Sequence, residues 1–225
     1  MKTAIKTKTA TAKSSQKAKA KHEGKIDLYN KHSKEYAAAQ TPALVAVGPA
    51  KYLSISGEGA PGGAAFTEAI GALYGVAFTI KMTRKFAGKG DYAACKLEGL
   101  WPAFKDGCLP DHKEQWTWDM MIRTPEFVKD SDVRQAVAML EKRGKGAGAD
   151  RVRLVAVNEG LCVQALHVGP YEKEGETVCK MGAFAGSNGL KLSGVFHEIY
   201  LSDPRRVDPA KLKTILRHPV APIES

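Results

Sequence analysis

Long apolar runs are absent from this sequence: no stretch reaches the roughly 18 apolar residues that a membrane span needs. The first 21 residues hold seven lysines and no apolar segment of the kind found in secretory signals. We therefore expect a cytoplasmic protein that does not enter the membrane. The four cysteines form no C-x-x-C pair and have no histidine at zinc-ligand spacing, which indicates reduced core thiols and no metal site.

Signatures of the common nucleotide and hydrolase sites are also missing. The sequence contains no G-x-x-x-x-G-K-[ST], G-x-G-x-x-G, H-E-x-x-H or G-x-S-x-G motif. Glycines at positions 57–63 resemble a phosphate-binding loop, but the Lys-Ser/Thr pair that such a loop requires is lacking. The glycines therefore predict a turn between a strand and a helix, and we expect no cofactor.

Positive charge is concentrated at the N terminus. Residues 1–24 include seven lysines and a single acid, Glu23, and carry +6 of the formal net charge of +10. Because Ile5 is their only large apolar side chain, they bury too little surface to offset the entropy of ordering. We predict a disordered basic tail over 1–24, followed by one domain over 25–225. Two roles stay open for the tail, weak nonspecific contact with nucleic-acid phosphates and a solubilising extension.

The tetrapeptide LVAV occurs at 44–47 and again 110 positions later, at 154–157. The residues around both copies predict the same elements in the same order. These are a strand, a short turn, a second strand, an amphipathic helix and two further strands. The first copy places these later elements at 51–57, 64–84, 97–101 and 116–123, and the second at 161–168, 174–185, 194–201 and 214–217. A further helix, capped by Ser131 and ended by Gly144, separates the two copies.

This pattern predicts an α+β fold of two tandem β-α-β-β modules, at about 41–125 and 151–220. A strand precedes each module and is expected to form a hairpin with the strand that follows it. We expect the modules to be related by pseudo-twofold symmetry around a central cleft, a common place for a small-molecule site. The pattern predicts no particular oligomeric state.

The strand at 194–201 carries the most informative side chains. Alternation places Phe196, Glu198 and Tyr200 on one face, and an aliphatic set that includes His197 on the other. A carboxylate between two aromatic rings is costly unless a cation pairs with it or its pKa rises. Glu198 is therefore a candidate anchor for a ligand, although pairing with a nearby arginine such as Arg205 would also satisfy it. We expect His197 to be an ordinary packing residue, and the aliphatic face to pack under a helix.

Aromatic side chains are numerous enough to line a pocket around that carboxylate. Aromatic walls with one acid suit flat, hydrophobic and often cationic ligands, through stacking and cation–π attraction. Aromatic residues at strand spacing are also typical of an ordinary core, and both interpretations stay open. The candidate ligand-binding residues are Tyr74, Trp101, Trp118, Met120, Tyr171, Phe184, Phe196, Glu198 and Tyr200.

Four segments resemble a known family. They are LEGLW at 97–101, WDMMIRTP at 118–125, HVGPY at 167–171 and HEIYLSDPRR at 197–206. Together they are similar to stand-alone GyrI-like small-molecule-binding domain proteins, over roughly residues 27–220. The resemblance implies the effector-binding fold of bacterial regulatory factors, with tandem β-α-β-β modules around a cleft.

The resemblance also implies a function. Members of the family bind hydrophobic, often cationic, drug-like molecules, with a buried glutamate as the polar anchor, and Glu198 matches that position. Some stand-alone members hydrolyse cyclopropane-containing genotoxins, and in that case Glu198 would be the catalytic base that activates water. A third alternative is a protein-interaction module that acts on gyrase or another partner.

Overall fold

The computed structural model of this protein describes residues 24–101 and 113–223. Nearly all of the predicted basic tail, and Cys108, lie outside the described residues. The strands of this part are β1 (Ala43–Val47), β2 (Ala50–Glu58), β3 (Leu97–Trp101), β4 (Thr117–Thr124), β5 (Arg153–Val157), β6 (Gly160–Val168), β7 (Leu190–Leu192), β8 (Phe196–Tyr200) and β9 (Lys213–Pro222). The helices are α1 (Leu28–Lys31), α2 (Ser33–Tyr36), α3 (Ala64–Phe86), α4 (Asp130–Lys142) and α5 (Glu174–Ser187).

These strands form one antiparallel sheet in the order β1-β6-β9-β8-β3-β4-β2-β5, with β7 paired to β9. The order is symmetric about the boundary between β8 and β3, as expected for two related halves. The predicted hairpins are wrong, however. β1 pairs with β6 of the other half, and β5 pairs with β2. Each half therefore lends its first strand to the other, which joins both into one sheet.

The two module helices cover the same face of the sheet. Buried side chains of α3 recur every three or four positions, at Ala69, Leu73, Val76 and Ile80, as a helix with one apolar face requires. They join Val178 and Met181 of α5 in the main core. That core also contains Trp118, Met120 and Phe196, so α3 and α5 pack over the face of the sheet that carries Glu198.

A short N-terminal segment covers the opposite face, which the sequence patterns did not predict. Tyr36 of α2 is buried there against Ile199 and Ile215. The aliphatic face of β8 therefore packs under a helix as expected, but neither module helix is its partner. Its partner is the α1–α2 segment, which is too short and polar to stand out as an amphipathic helix.

Two smaller expectations are also corrected. Helix α4 begins at Asp130 rather than after a Ser131 cap, and the side chain of Asp132 accepts a hydrogen bond from the Lys129 backbone N–H. Cys95 and Cys162 are buried free thiols as expected, whereas Cys179 is exposed. Among the described residues, no helix is both long and apolar enough to cross a membrane.

Candidate functional site

Glu198 lies at the centre of the sheet, where the two halves meet. It is paired in register with Gly99 across the β8–β3 boundary. Phe196 and Tyr200 share its face, as alternation predicts, and Trp101 lies opposite Phe196. The carboxyl group is therefore held on a rigid strand beneath the two long helices, and only 6 % of the residue is exposed.

A chain of polar groups ends at this carboxyl. The indole Nε1 of Trp101 donates to Tyr200 Oη at 2.9 Å, and the Tyr200 hydroxyl is in turn hydrogen-bonded to Glu198. Glu174, the first residue of α5, lies within hydrogen-bonding range of Glu198 and of Thr214 in β9. Sequence reasoning missed Glu174, although the HVGPY turn that delivers it was one of the family-like segments.

Burial raises the pKa of both carboxyl groups. For Glu198 the loss of hydration dominates. For Glu174 the negative charge of Glu198 adds to the effect of burial, and its pKa rises well above the ordinary value. Two buried carboxyls within hydrogen-bonding range of each other do not ionise together without a large cost, so the pair favours the state with one shared proton and one negative charge. Burial and the Glu198 charge likewise raise the pKa of Tyr200.

Glu198 has no basic partner. Arg205 and Arg206, which the sequence offered as alternatives, instead form ion pairs with Asp203 at the surface. Within 24–101 and 113–223, neither Glu198 nor Glu174 forms a salt bridge with a lysine or an arginine. The carboxyl pair is thus a buried acid without an ion-pair partner in an aromatic environment, and the nearby His197 charge offsets the effect of burial on the pKa of Glu198 only in part.

Gly99 makes room for the hydrogen bond between Trp101 and Tyr200. A Cβ atom at this position would lie 2.9 Å from Trp101 Nε1, 3.1 Å from Tyr200 Oη and 3.2 Å from Met120 Sδ. Gly57 has the same role beneath Trp118, since a Cβ there would overlap the indole ring at 2.1 Å. Glycines in β2 and β3, the strands on either side of β4, therefore allow the tryptophans to lie close to the sheet.

We predict that Gly99→Ala displaces the Trp101–Tyr200 pair. Crowding of this kind in a packed interior costs about 1–3 kcal/mol. The variant should melt at a lower temperature than the wild type and lose the indole fluorescence of the native state. Gly71→Ala is the matched control, since a Cβ at that helical position meets nothing within 4 Å and should be neutral or stabilising. Equal melting temperatures for Gly99→Ala and the wild type would contradict this description.

The other predicted residues fall into three groups. Tyr171 packs edge-on against Tyr200, with ring centroids 6.0 Å apart, and so lies beside the carboxyl pair. Trp118, Met120 and Phe196 are buried in the core on the same face of the sheet. Tyr74 and Phe184 are partly buried side chains of α3 and α5 that pack against this core.

A groove of about 690 Å³ opens beside Trp101 and Trp118. The last residues of β2 and β3, the first residues of β4 and residues 194–195 before β8 form this groove. Glu58 and Asp119 contribute acidic side chains to it. Glu198 is not among the residues that line this groove. Ser56, Leu100 and Asp119, which line it, lie on the face of the sheet opposite Glu198, because they alternate along their strands with residues of the Glu198 face. The groove is therefore separate from the carboxyl pair, which lies beside Tyr171 and Tyr200.

The opposite face of the sheet carries a second set of buried charges. His197 lies between two carboxylates, with Nδ1 3.0 Å from Glu159 and Nε2 3.0 Å from Glu98. Arg217 then pairs with Glu159 at 2.8 Å and donates to Gln164. The expectation that His197 is an ordinary packing residue is therefore wrong, because it bridges two buried acids from β3 and the β5–β6 turn.

Burial alone would lower the pKa of His197, but the Glu159 charge and hydrogen bonds outweigh it and raise the pKa to about 9. Burial alone would raise the pKa of Glu159, but the charges and hydrogen bonds of His197 and Arg217 hold it down to about 2. A histidine whose pKa is higher in the folded state contributes stability below about pH 6.5, its unfolded value, and loses that contribution as the pH rises through 9.

We therefore predict that stability falls between pH 7 and pH 10. The contribution of His197 should amount to about 3 kcal/mol at neutral pH. Urea unfolding at pH 7 and pH 10 measures the loss, and His197→Gln should show a smaller pH dependence than the wild type. Parallel stability curves for the two proteins would refute a protonated His197.

Metal-binding geometry is not found in the described part of the chain, where no three His, Cys, Asp or Glu side chains come together to hold an ion. Glu198 and Glu174 offer the chemistry of two carboxyls with aromatic neighbours. Such a pair can attract a cation, accept and donate hydrogen bonds, or exchange a proton with a bound molecule or with water.

Comparison with known proteins gives a consistent assignment. Residues 40–221 match the family described as the GyrI-like small molecule binding domain. The crystal structure of a hydrolase from Listeria innocua is 35 % identical, with a TM-score of 0.80, and covers 88 % of this chain and 100 % of its own. An uncharacterised conserved protein from the same organism is 36 % identical over the same shares, with a TM-score of 0.82.

More distant structures share only the fold. The C-terminal domain of EcmrR is 12 % identical, with a TM-score of 0.53, and the match covers 81 % of this chain and 98 % of that domain. Among curated proteins, no sequence matches the chain.

Proposed function

Since this chain belongs to the GyrI-like small molecule binding domain family, we propose that it binds hydrophobic, cationic, drug-like molecules at Glu198. The observation that carries this proposal is the carboxyl pair of Glu198 and Glu174, which is buried among aromatic side chains without an ion-pair partner in the described part of the chain. A buried negative charge without a basic partner is costly, and a bound cation would offset that cost.

The aromatic surroundings support the same class of ligand. Tyr171, Tyr200 and Trp101 present ring faces and edges close to the acid, and a cation over such a ring gains about 0.5–2 kcal/mol. The flat apolar part of a ligand would pack against these rings while its charged end reaches Glu198. Tyr171, which is half-buried, would have to move aside to admit it.

A titration of rhodamine 6G, a fluorescent lipophilic cation, tests this function. We expect saturable binding to the protein, and much weaker binding of an uncharged dye of similar size and shape. High salt should change the affinity little, because a buried pair is screened less than an exposed one. Equal affinity for the charged and uncharged dyes would remove the electrostatic basis of the proposal.

A second candidate function is hydrolysis of a cyclopropane-containing genotoxin. It is favoured by the raised pKa of Glu198, which suits a general base near neutral pH, and by the 35 % identity to a protein described as a hydrolase. Glu198 would take a proton from a water molecule while the oxygen of that water bonds to a carbon of the cyclopropane ring. The ring C–C bond would break, and its electron pair would pass to the electron-withdrawing group on the ring, which then receives a proton.

Incubation with a cyclopropane-bearing alkylator, followed by mass spectrometry, distinguishes the two functions. An enzyme would form the product with one added water, catalytically and not in the Glu198→Gln variant. We expect the rate to fall by about 10²–10⁴ in that variant, the usual contribution of a general base. Binding without turnover at high protein concentration would leave only the first function.

A further inference from the structure

One oxygen of the carboxyl pair has no partner. Only 1 % of Glu174 is exposed, and its Oε1 is fully buried. This oxygen has no hydrogen-bond partner among the described residues. Oε2 of the buried Glu98 also lacks a hydrogen-bond partner, but it lies 3.0 Å from His197 Nε2, whereas Glu174 forms no ion pair among the described residues. Glu159 uses one oxygen for His197 and the other for Arg217. An orphan acceptor in a buried position is uncommon and calls for an explanation.

The position of Glu174 links this oxygen to the site rather than to the core. Its carboxyl faces Glu198 and Thr214, and Tyr171 precedes it by one turn on the same side of the sheet. Glu172 is the other charged group that acts on it, and it is also negative. The orphan oxygen is therefore an unused hydrogen-bond acceptor in a region of negative potential, on a carboxyl whose other neighbours are Glu198 and Thr214.

We propose that Glu174 Oε1 accepts a hydrogen bond from the ligand, and that the site therefore prefers protonated amines to quaternary ammonium ions. This inference rests on the proposed binding function and specifies its ligand class. A protonated amine supplies both a positive counter-charge for Glu198 and an N–H donor for Glu174 Oε1. A quaternary ion supplies only the charge.

The shared proton defines the role of each acid. Glu174 holds the proton and donates it toward Glu198, so that Glu198 carries the charge and Oε1 of Glu174 remains a neutral acceptor. Glutamine at 174 reproduces this arrangement, since its amide N–H₂ donates to Glu198 and its carbonyl oxygen accepts. Leucine has a similar volume but has neither group.

The test compares chlorpromazine, a protonated tertiary amine, with its N-methyl quaternary derivative by calorimetric titration at pH 7. We expect the wild type to bind the amine about tenfold more tightly or better, the value of one charge-assisted hydrogen bond. Glu174→Gln should keep this preference. Glu174→Leu should lose it and still bind the quaternary ion, and a thermal melt verifies that each variant is folded.

The outcomes separate this inference from the function on which it rests. If the wild type binds both ions equally, the inference fails and the cation site stands, and this comparison needs no variant. If the wild type binds neither ion, the proposed function itself fails. A preference that survives in Glu174→Leu, or that disappears in Glu174→Gln, would also overturn the assignment of Oε1 as the acceptor.

Discussion

Glu198→Gln should lower the affinity for a lipophilic cation by at least about tenfold, with little change in stability. Removing one partner of a buried charge pair costs about 2–5 kcal/mol of binding, and the neutral amide leaves the cation without a counter-charge. The fold should survive, because Glu198 has no basic partner that the substitution would strand in the core. Titration of rhodamine 6G against both proteins measures the effect.

Glu172→Gln provides the matched control for this experiment. Glu172 is exposed, lies in the same region and carries the same charge as Glu198, so it tests whether any local negative charge suffices. We expect the control to keep the wild-type affinity within about twofold, since exposed charges contribute little and are screened by salt. Equal losses in the two variants would mean that general surface potential, and not Glu198, attracts the cation.

Arg217→Met should destabilise the fold by about 3–5 kcal/mol, the usual cost of breaking a buried ion pair. Arg217 lies on β9 and is fully buried, and it donates to Glu159, to Gln164 and to the backbone carbonyl of Glu35. Methionine fills a similar space but removes the positive charge that balances the buried Glu159 carboxylate. Urea unfolding at pH 7 gives the difference in free energy.

Two further variants define the cause of that loss. Arg206→Met removes an arginine whose side chain is largely exposed, and it should change stability by less than about 0.5 kcal/mol. The double variant Arg217→Met with Glu159→Gln should recover part of the loss, because it removes the negative charge that Arg217 balanced and leaves His197 paired with Glu98. If Glu159→Gln destabilises Arg217→Met by as much free energy as it destabilises the wild type, that result would contradict a direct charge pairing between the two residues.

Local patterns were sufficient for the helix and main strands of each module and for the face of β8 that carries Glu198, but not for α1, α2 or β7. Periodicity of two placed Phe196, Glu198 and Tyr200 together, and the LVAV repeat identified the two halves. It did not show that β1 pairs with β6, because the partner of a strand depends on contacts between distant segments. A hairpin and an exchanged strand have the same sequence signature, and only the assembled sheet distinguishes them.

The missed site residues are missed for a related reason. Glu174 occupies the first turn of a helix, where an acid is favoured by the helix dipole and draws no attention. Gly99 and Gly57 looked like ordinary strand glycines until the tryptophans that lie over them were located. His197 was taken for a packing residue because its two acidic partners come from positions 98 and 159, far away in sequence.

A crystal structure with a bound lipophilic amine tests the central claim most directly. That claim is that an aromatic-lined carboxyl pair at the junction of two halves holds the charged end of the ligand. We predict that the ammonium nitrogen lies beside Glu198 and within hydrogen-bonding distance of Glu174 Oε1, with Tyr171 displaced. A ligand seated only in the groove beside Trp118, with its charge in solvent and Tyr171 unmoved, would contradict it.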